Sequence, residues 1–301
     1  LGLWFTDALG YPRGQTIELY CGDVFYGLYT LRMKKKREQY AMTKANKNHI
    51  LLQADPTMNT EVPFSWSNIS LANWELRNPS IKTYSEGDDS VNDSVVQASL
   101  DRYFNWIKAL FAVTTTLKAT YQQYINLNSF LDYILHVELT DQLDGLTNNM
   151  MMMTWDANIW HAFIYDLDHA TDRGYTVCHT MITNTPTLFF KFFFSELLNE
   201  MKARWKELRD ANVVSMDKVF EYHGKYANQV AKSTRDKDAL RWGYGRENNM
   251  PRIFTMFSKK MDYMDAYLGY TPKEADYFGN WNPDTLAVGE SKTYTFNAPT
   301  Y

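Results

Sequence analysis

The chain has 301 residues, 45% of them hydrophobic, with 31 basic against 35 acidic side chains and two cysteines. That apolar content can fill a large core and excludes a disordered chain, while the near balance of charge argues against a general nucleic-acid-binding surface. No apolar run approaches the ~20 residues that span a bilayer, and Cys21 and Cys178 are too few for a disulfide framework and lack metal-ligand spacing, so both are read as buried thiols.

Thr16 to Tyr29 alternates apolar and polar positions around Gly22-Asp23 and predicts a β-hairpin. The basic run Lys34-Lys35-Lys36-Arg37 follows at once, either as a solvated surface or as a cluster from which one cation meets phosphate. Asn46 to Leu52 suggests a turn and a strand, Pro56 to Ser70 a polar and aromatic connection, and Trp74 to Asn78 a strand stopped by Pro79. At Glu86-Gly87-Asp88-Asp89 the pattern changes from strand-rich to helix-rich, and a boundary is placed after residue 88. Asp93 is placed to cap a helix in which Val96, Leu100, Tyr103, Phe104, Ile107 and Phe111 recur at helical spacing. A second helix runs through Ser129 to Val137. Met150 to Met153 then reads as a buried strand, with a turn at Asp156-Ala157-Asn158 leading into another, Ile159 to Tyr165. The apolar stretch Thr187 to Phe194 reads as a buried core helix rather than a membrane contact. Glu196 to Asp210, Met216 to Lys232 and Asn249 to Leu268 read as amphipathic helices, the last with Phe254, Phe257, Met261 and Met264 on one face. Residues 283–301 turn polar and β-prone, as a single strand or the start of an appended module.

Chemistry concentrates between these elements. Asp144 precedes Asn149 by five positions, and Tyr165-Asp166-Leu167-Asp168 supplies two more acids after the expected hairpin. Protein kinases hold a base and their magnesium ions with this spacing. A transferring phosphoryl group needs positioning more than covalent chemistry, so one carboxylate near the attacking hydroxyl and oxygen ligands for a metal suffice. A metal shared by Asn149 and Asp166 demands that both converge with Asp144 on one cleft. The plain alternative is that Asp144 and Asn148 are turn residues and that Asp166 and Asp168 cap the next helix, since both spacings also recur by chance. His161 reads as a packed histidine, and His169 and His179 rank below the oxygen ligands because hard magnesium prefers oxygen.

Asp144 to Asp168 resembles the CotH family of spore-coat kinases, in which Asp, a few residues, Asn, an apolar strand, Trp and Asp-x-Asp follow in order; the Trp here is Trp160. Thr16 to Leu31, with Gly27-Leu28-Tyr29, is similar to that family's hairpin, and Arg241-Trp242-Gly243 ahead of a closing amphipathic helix agrees as a third block. The resemblance implies an α+β, protein-kinase-like two-lobed fold, with residues 1–88 as a strand-rich part of the amino-terminal lobe and 89–282 as the helix-rich lobe. It implies transfer of the ATP γ-phosphoryl to Ser or Thr of a coat or surface protein. Asp144 then matches the base or hydroxyl orienter, Asn149 and Asp166 the ligands of Mg2+ or Mn2+, and Asp168 a ligand of a second metal or a support for the first.

The chain also departs from that pattern. His169-Ala170-Thr171-Asp172 stands where the family has an aromatic-Gly pair, and Arg32-Met33-Lys34 where it has a Glu. The family's ATP-facing Arg-Gly and Lys strands lie upstream of the hairpin, and this sequence starts with Leu1 shortly before it, so a truncated nucleotide-binding part is expected. Arg32 and Lys34 are then the nearby cations for the phosphates, and strand alternation points them to the same side. These departures leave a second function open, a catalytically inactive kinase-like structural or binding module in a larger assembly such as a spore coat, a cell surface or a phage virion. Neither function calls for nucleic acid or a membrane span.

Overall fold

The structure, a computed structural model, describes residues 14–32, 36–55, 63–79, 93–165, 179–227, 229–243 and 250–272. Among them the chain forms a mixed α/β structure with two small antiparallel sheets and eight α-helices. The first sheet is the expected hairpin, β1 (Gly14–Cys21) and β2 (Val24–Arg32), with Cys21 opposite Val24 across a two-residue turn. Gly22 takes φ +60° there, the left-handed conformation that matches the twist of a tight hairpin. Cys21 is exposed, which corrects the reading of a buried thiol, because among the described residues the tip of this two-stranded ribbon has no second layer over it. Cys178 lies outside the described residues.

The second sheet has the order β4-β3-β5-β6, from β3 (Ile50–Ala54), β4 (Trp74–Asn78), β5 (Met150–Thr154) and β6 (His161–Ile164), every neighbouring pair antiparallel. β3 and β5 are central and buried along their whole length, which is why both read as near-continuous apolar runs. Their side chains alternate between two clusters. Ile50, Leu52, Met150, Met152, Ala162 and Ile164 enter the main core, whereas Leu51, Met151, Met153 and Phe163 pack with Tyr40 and Tyr165 on the other face. One sheet thus joins chain from before residue 88 to chain from after it.

Helix α1 (Ser94–Phe111) starts where Asp93 accepts the N–H groups of Val95 and Val96, and it buries Val96, Leu100, Tyr103, Phe104 and Ile107 as the spacing predicts. After the short α2 (Leu117–Thr120), α3 (Leu127–Thr140) runs through the core, capped by the Asn126 side chain on the Ser129 N–H and buried from Tyr133 to Thr140. The apolar run after Thr187 is core, but it turns helical only in α4 (Lys191–Glu196); Phe189 and Phe190 enter ahead of it and pack on Trp66 at 5.5 and 5.6 Å. Helix α5 (Leu198–Asp210) is tied to the last helix by Arg209, whose guanidinium meets both oxygens of Asp265 at 3.1 and 2.8 Å.

The helix expected over Met216 to Lys232 ends at Ala227 as α6 (Met216–Ala227), and a separate α7 (Lys232–Trp242) precedes α8 (Met250–Leu268). α7 carries no apolar stripe, since Asp238 is its buried residue, and so no hydrophobic period announces it. It docks on the hairpin. Asp238 Oδ1 accepts the Leu28 N–H at 2.8 Å and the Arg241 guanidinium lies 4.4 Å from the Tyr26 ring centre. Gly27 has φ +130°, and a Cβ there would stand 2.7 Å from Trp242 Nε1. Two blocks far apart in sequence, Gly27-Leu28-Tyr29 and Arg241-Trp242-Gly243, therefore meet in space. Among the described residues no helix is long and apolar enough to cross a membrane.

Candidate functional site

Asp141 takes a left-handed conformation (φ 51°, ψ 40°), which ends α3 and turns the chain into the Leu143–Leu146 3-10 turn that carries Asp144. The Asp144 carbonyl accepts the N–H groups of Thr147 at 3.3 Å and Asn148 at 2.7 Å. Two aromatic side chains pin this loop through its backbone, Tyr133 Oη donating to Gly145 O and Trp66 Nε1 to Leu146 O. Gly145 is needed here, because a Cβ would stand 2.9 Å from Val137 Cγ2. With its backbone fixed, the loop leaves the Asp144 carboxylate and the Asn149 amide half-buried, and neither side chain has a hydrogen-bond partner among the described residues.

The β5–β6 hairpin follows. Its turn is built on Asp156, whose Oδ1 accepts the N–H groups of Asn158 and Ile159 at 2.8 Å each, and Trp160 is stacked on Tyr103 at 4.8 Å. The register pairs Met150 with Ile164, and the Tyr165 N–H donates to Asn149 O at 3.1 Å. The chain is thereby returned to Asn149 one residue before Asp166. Asp166, Asp168, His169 and Lys34 lie outside the described residues, as does the side chain of Arg32. Among the described residues no group of three His, Cys, Asp or Glu could hold a metal ion.

The other described sequence candidates are two histidines and the end of the basic run. His161 packs edge-on to Trp155 at 5.0 Å, and burial holds its imidazole below the usual range against the pull of Asp156. His179 is exposed, with Tyr263 at 6.0 Å. Of the basic run, Lys36 is exposed and Arg37 reaches Glu38 at 3.1 Å and Asn78 Oδ1 at 3.3 Å.

A group that the sequence reading passed over stands behind the loop. Glu138 on α3 is fully buried and accepts Lys260 Nζ at 3.1 Å, the Ile182 N–H at 3.0 Å, the Thr183 N–H at 2.6 Å and the Thr183 hydroxyl. Lys260 Nζ also reaches Thr180 O at 2.6 Å. The chain on either side of residues 166–178 is thus anchored next to the Asp144 loop, at Asn149 before it and at Glu138 after it. A signal was present: Lys260 falls on the same stripe of α8 as Phe257, Met261 and Met264, and a cation at a core position calls for an anion.

His136, also on α3, is fully buried, and burial pushes its pKa down to about 3. Its folded pKa lies below the unfolded value, so the unfolded chain binds the extra proton and stability falls as pH drops from about 6.5 towards 3, by up to ~1.4 kcal/mol per unit. Urea unfolding across that range should show a shallower pH slope in His136→Gln than in the parent. An unchanged slope would assign the acid sensitivity to other groups.

The CotH kinase protein family model matches residues 3–268, a span that contains the hairpin, the Asp144 loop, both sheets and all of α1 to α8. No curated protein matches the chain.

Proposed function

As the chain belongs to the CotH kinase family, we propose that it transfers the γ-phosphoryl group of ATP to a Ser or Thr hydroxyl of a coat or surface protein, with Asp144 as the base that takes the hydroxyl proton. The observation that carries the reading is the Tyr165 N–H to Asn149 O hydrogen bond, because it supports Asn149 and Asp166 as neighbours. The donor set fits a hard cation: two carboxylates and an amide oxygen suit Mg2+ or Mn2+, and among the described residues the side chains of Asp144 and Asn149 have no hydrogen-bond partner. When bound, the metal would neutralise charge developing on the transferred group. Asn149 and Asp166 would hold it, with Asp168 as a second ligand or support, and Arg32 and Lys34 are the proposed cations for the α- and β-phosphates. On this reading residues 1–88 contribute to a strand-rich lobe and 89–282 form a helix-rich one, with the four-stranded sheet at their junction.

The test is incubation of the protein with ATP labelled at the γ- or the α-phosphate, in the presence of Mg2+ or Mn2+, alongside calorimetric titration with metal and ATP. Metal-dependent label from the γ-position alone is the expected result. Label from the α-position would identify nucleotidyl transfer instead. Neither label nor saturable ATP binding would overturn the enzyme reading in favour of an inactive kinase-like module of a spore coat, cell surface or virion.

A further inference from the structure

The Asp144 carboxylate has no hydrogen-bond partner among the described residues, so it is only as well placed as the backbone that carries it. That backbone is one 3-10 turn, Leu143–Leu146, and the two carbonyls that follow Asp144 are each taken by a buried aromatic donor. Tyr133 Oη donates to Gly145 O, and Trp66 Nε1 donates to Leu146 O at 3.3 Å. Both donors are held by packing on a shared neighbour. The Phe190 ring centre lies 5.7 Å from that of Tyr133 and 5.6 Å from that of Trp66. Trp66 is also stacked on Phe189 at 5.5 Å and met edge-on by Phe64 and Trp74 at 5.4 and 6.0 Å. The three parts of this brace are far apart in sequence: Trp66 comes from the connection between β3 and β4, Tyr133 from α3, and Phe190 from the chain just before α4.

We infer that Tyr133 is a positioning residue for transfer: through Gly145 O, and with Trp66 on the next carbonyl, it sets where the Asp144 carboxylate stands against the acceptor hydroxyl. The inference rests on the reading of Asp144 as the base. A buried aromatic hydroxyl that merely finds an acceptor is ordinary core satisfaction, and Tyr103 is such a case, its Oη 3.7 Å from Met152 Sδ and away from the loop. Convergence sets Tyr133 apart. Two donors from different elements meet consecutive carbonyls of a single short turn, whose own hydrogen bonds have the poorer geometry of a 3-10 helix. The close approach also depends on Gly145, where a Cβ would stand 3.3 Å from Tyr133 Oη. Burial pushes the Tyr133 hydroxyl well above the ordinary phenol range, which keeps it protonated as a donor. Placement matters because a shift of about 1 Å in a reacting group can slow a reaction by about 10²-fold.

Tyr133→Phe removes the hydroxyl and keeps the ring against Phe190, and Tyr103→Phe, which removes a fully buried hydroxyl elsewhere in the core, is its control. With γ-labelled ATP and metal, Tyr133→Phe is expected to lower kcat by roughly tenfold or more while the KM for ATP stays within about twofold of the parent. Amide exchange at Thr147 and Asn148, whose N–H groups bond to Asp144 O, should quicken by roughly tenfold in the same variant. Tyr103→Phe should change neither. A kcat equal to the parent's, unchanged exchange at Thr147 and Asn148, or the same losses in both variants would overturn the positioning role. A parent that neither binds ATP nor transfers label would sink the kinase reading and the catalytic role with it, whereas faster exchange confined to Tyr133→Phe would still show that Tyr133 holds the loop.

Discussion

Asp144→Ala will retain ATP and metal binding and lose phosphoryl transfer by about 10³-fold, within the range that a positioned general base contributes. The fold should not suffer. The Asp144 carboxylate has no described partner, and the loop is held through backbone carbonyls by Tyr133, Trp66 and the Thr147 and Asn148 amides, none of which the substitution removes. Asp166→Asn is expected to act at the other step, removing metal-dependent nucleotide binding, because an amide replaces the anion that a divalent cation needs while relieving repulsion among the acids when no metal is bound. Calorimetry for binding and γ-label transfer for catalysis separate the two. If both variants kept the parent's transfer rate, the chemistry would lie outside this loop and hairpin.

What could be read from the residues divides by range in sequence. The capped helix α1, the β5–β6 hairpin and the acid-to-asparagine spacing are local patterns, in which a period or a turn residue reports directly on backbone geometry. α7 was invisible because it is polar nearly all round and is stabilised by docking on β2, through Asp238 and Trp242, rather than by an apolar stripe of its own. The run of phenylalanines was correctly read as core, but its helix is short, since Phe189 and Phe190 pack on Trp66 before the helical turns begin. Glu138 and Lys260 are separated by 122 positions, so each could be recognised as a misplaced charge but not as the other's partner. The local turn and hairpin were legible, and the long-range contact between Glu138 and Lys260 was not.

That contact carries the largest expected effect on stability, and its two halves should not be equal. In Glu138→Ala the Lys260 ammonium stays fully buried with Thr180 O as its remaining hydrogen-bond acceptor among the described residues, while the Ile182 and Thr183 N–H groups lose their acceptor. Breaking a buried pair in this way costs about 3–5 kcal/mol, or on the order of 10 °C in Tm for a chain of this size. In Lys260→Met the Glu138 carboxylate keeps two amides and the Thr183 hydroxyl, and donors of this kind stabilise an anion without a counter-ion, so the loss should be smaller. The double variant Glu138→Gln with Lys260→Met removes both charges and leaves an acceptor for the Thr183 N–H, so it should recover most of the loss seen in Glu138→Ala. Urea unfolding of these variants together with Glu138→Gln alone, which closes the cycle with Lys260→Met and the double variant, measures the coupling. Losses that simply add, with the double variant at the sum of the singles, would mean that Glu138 and Lys260 are not coupled and that the chain beyond residue 178 is anchored by other contacts.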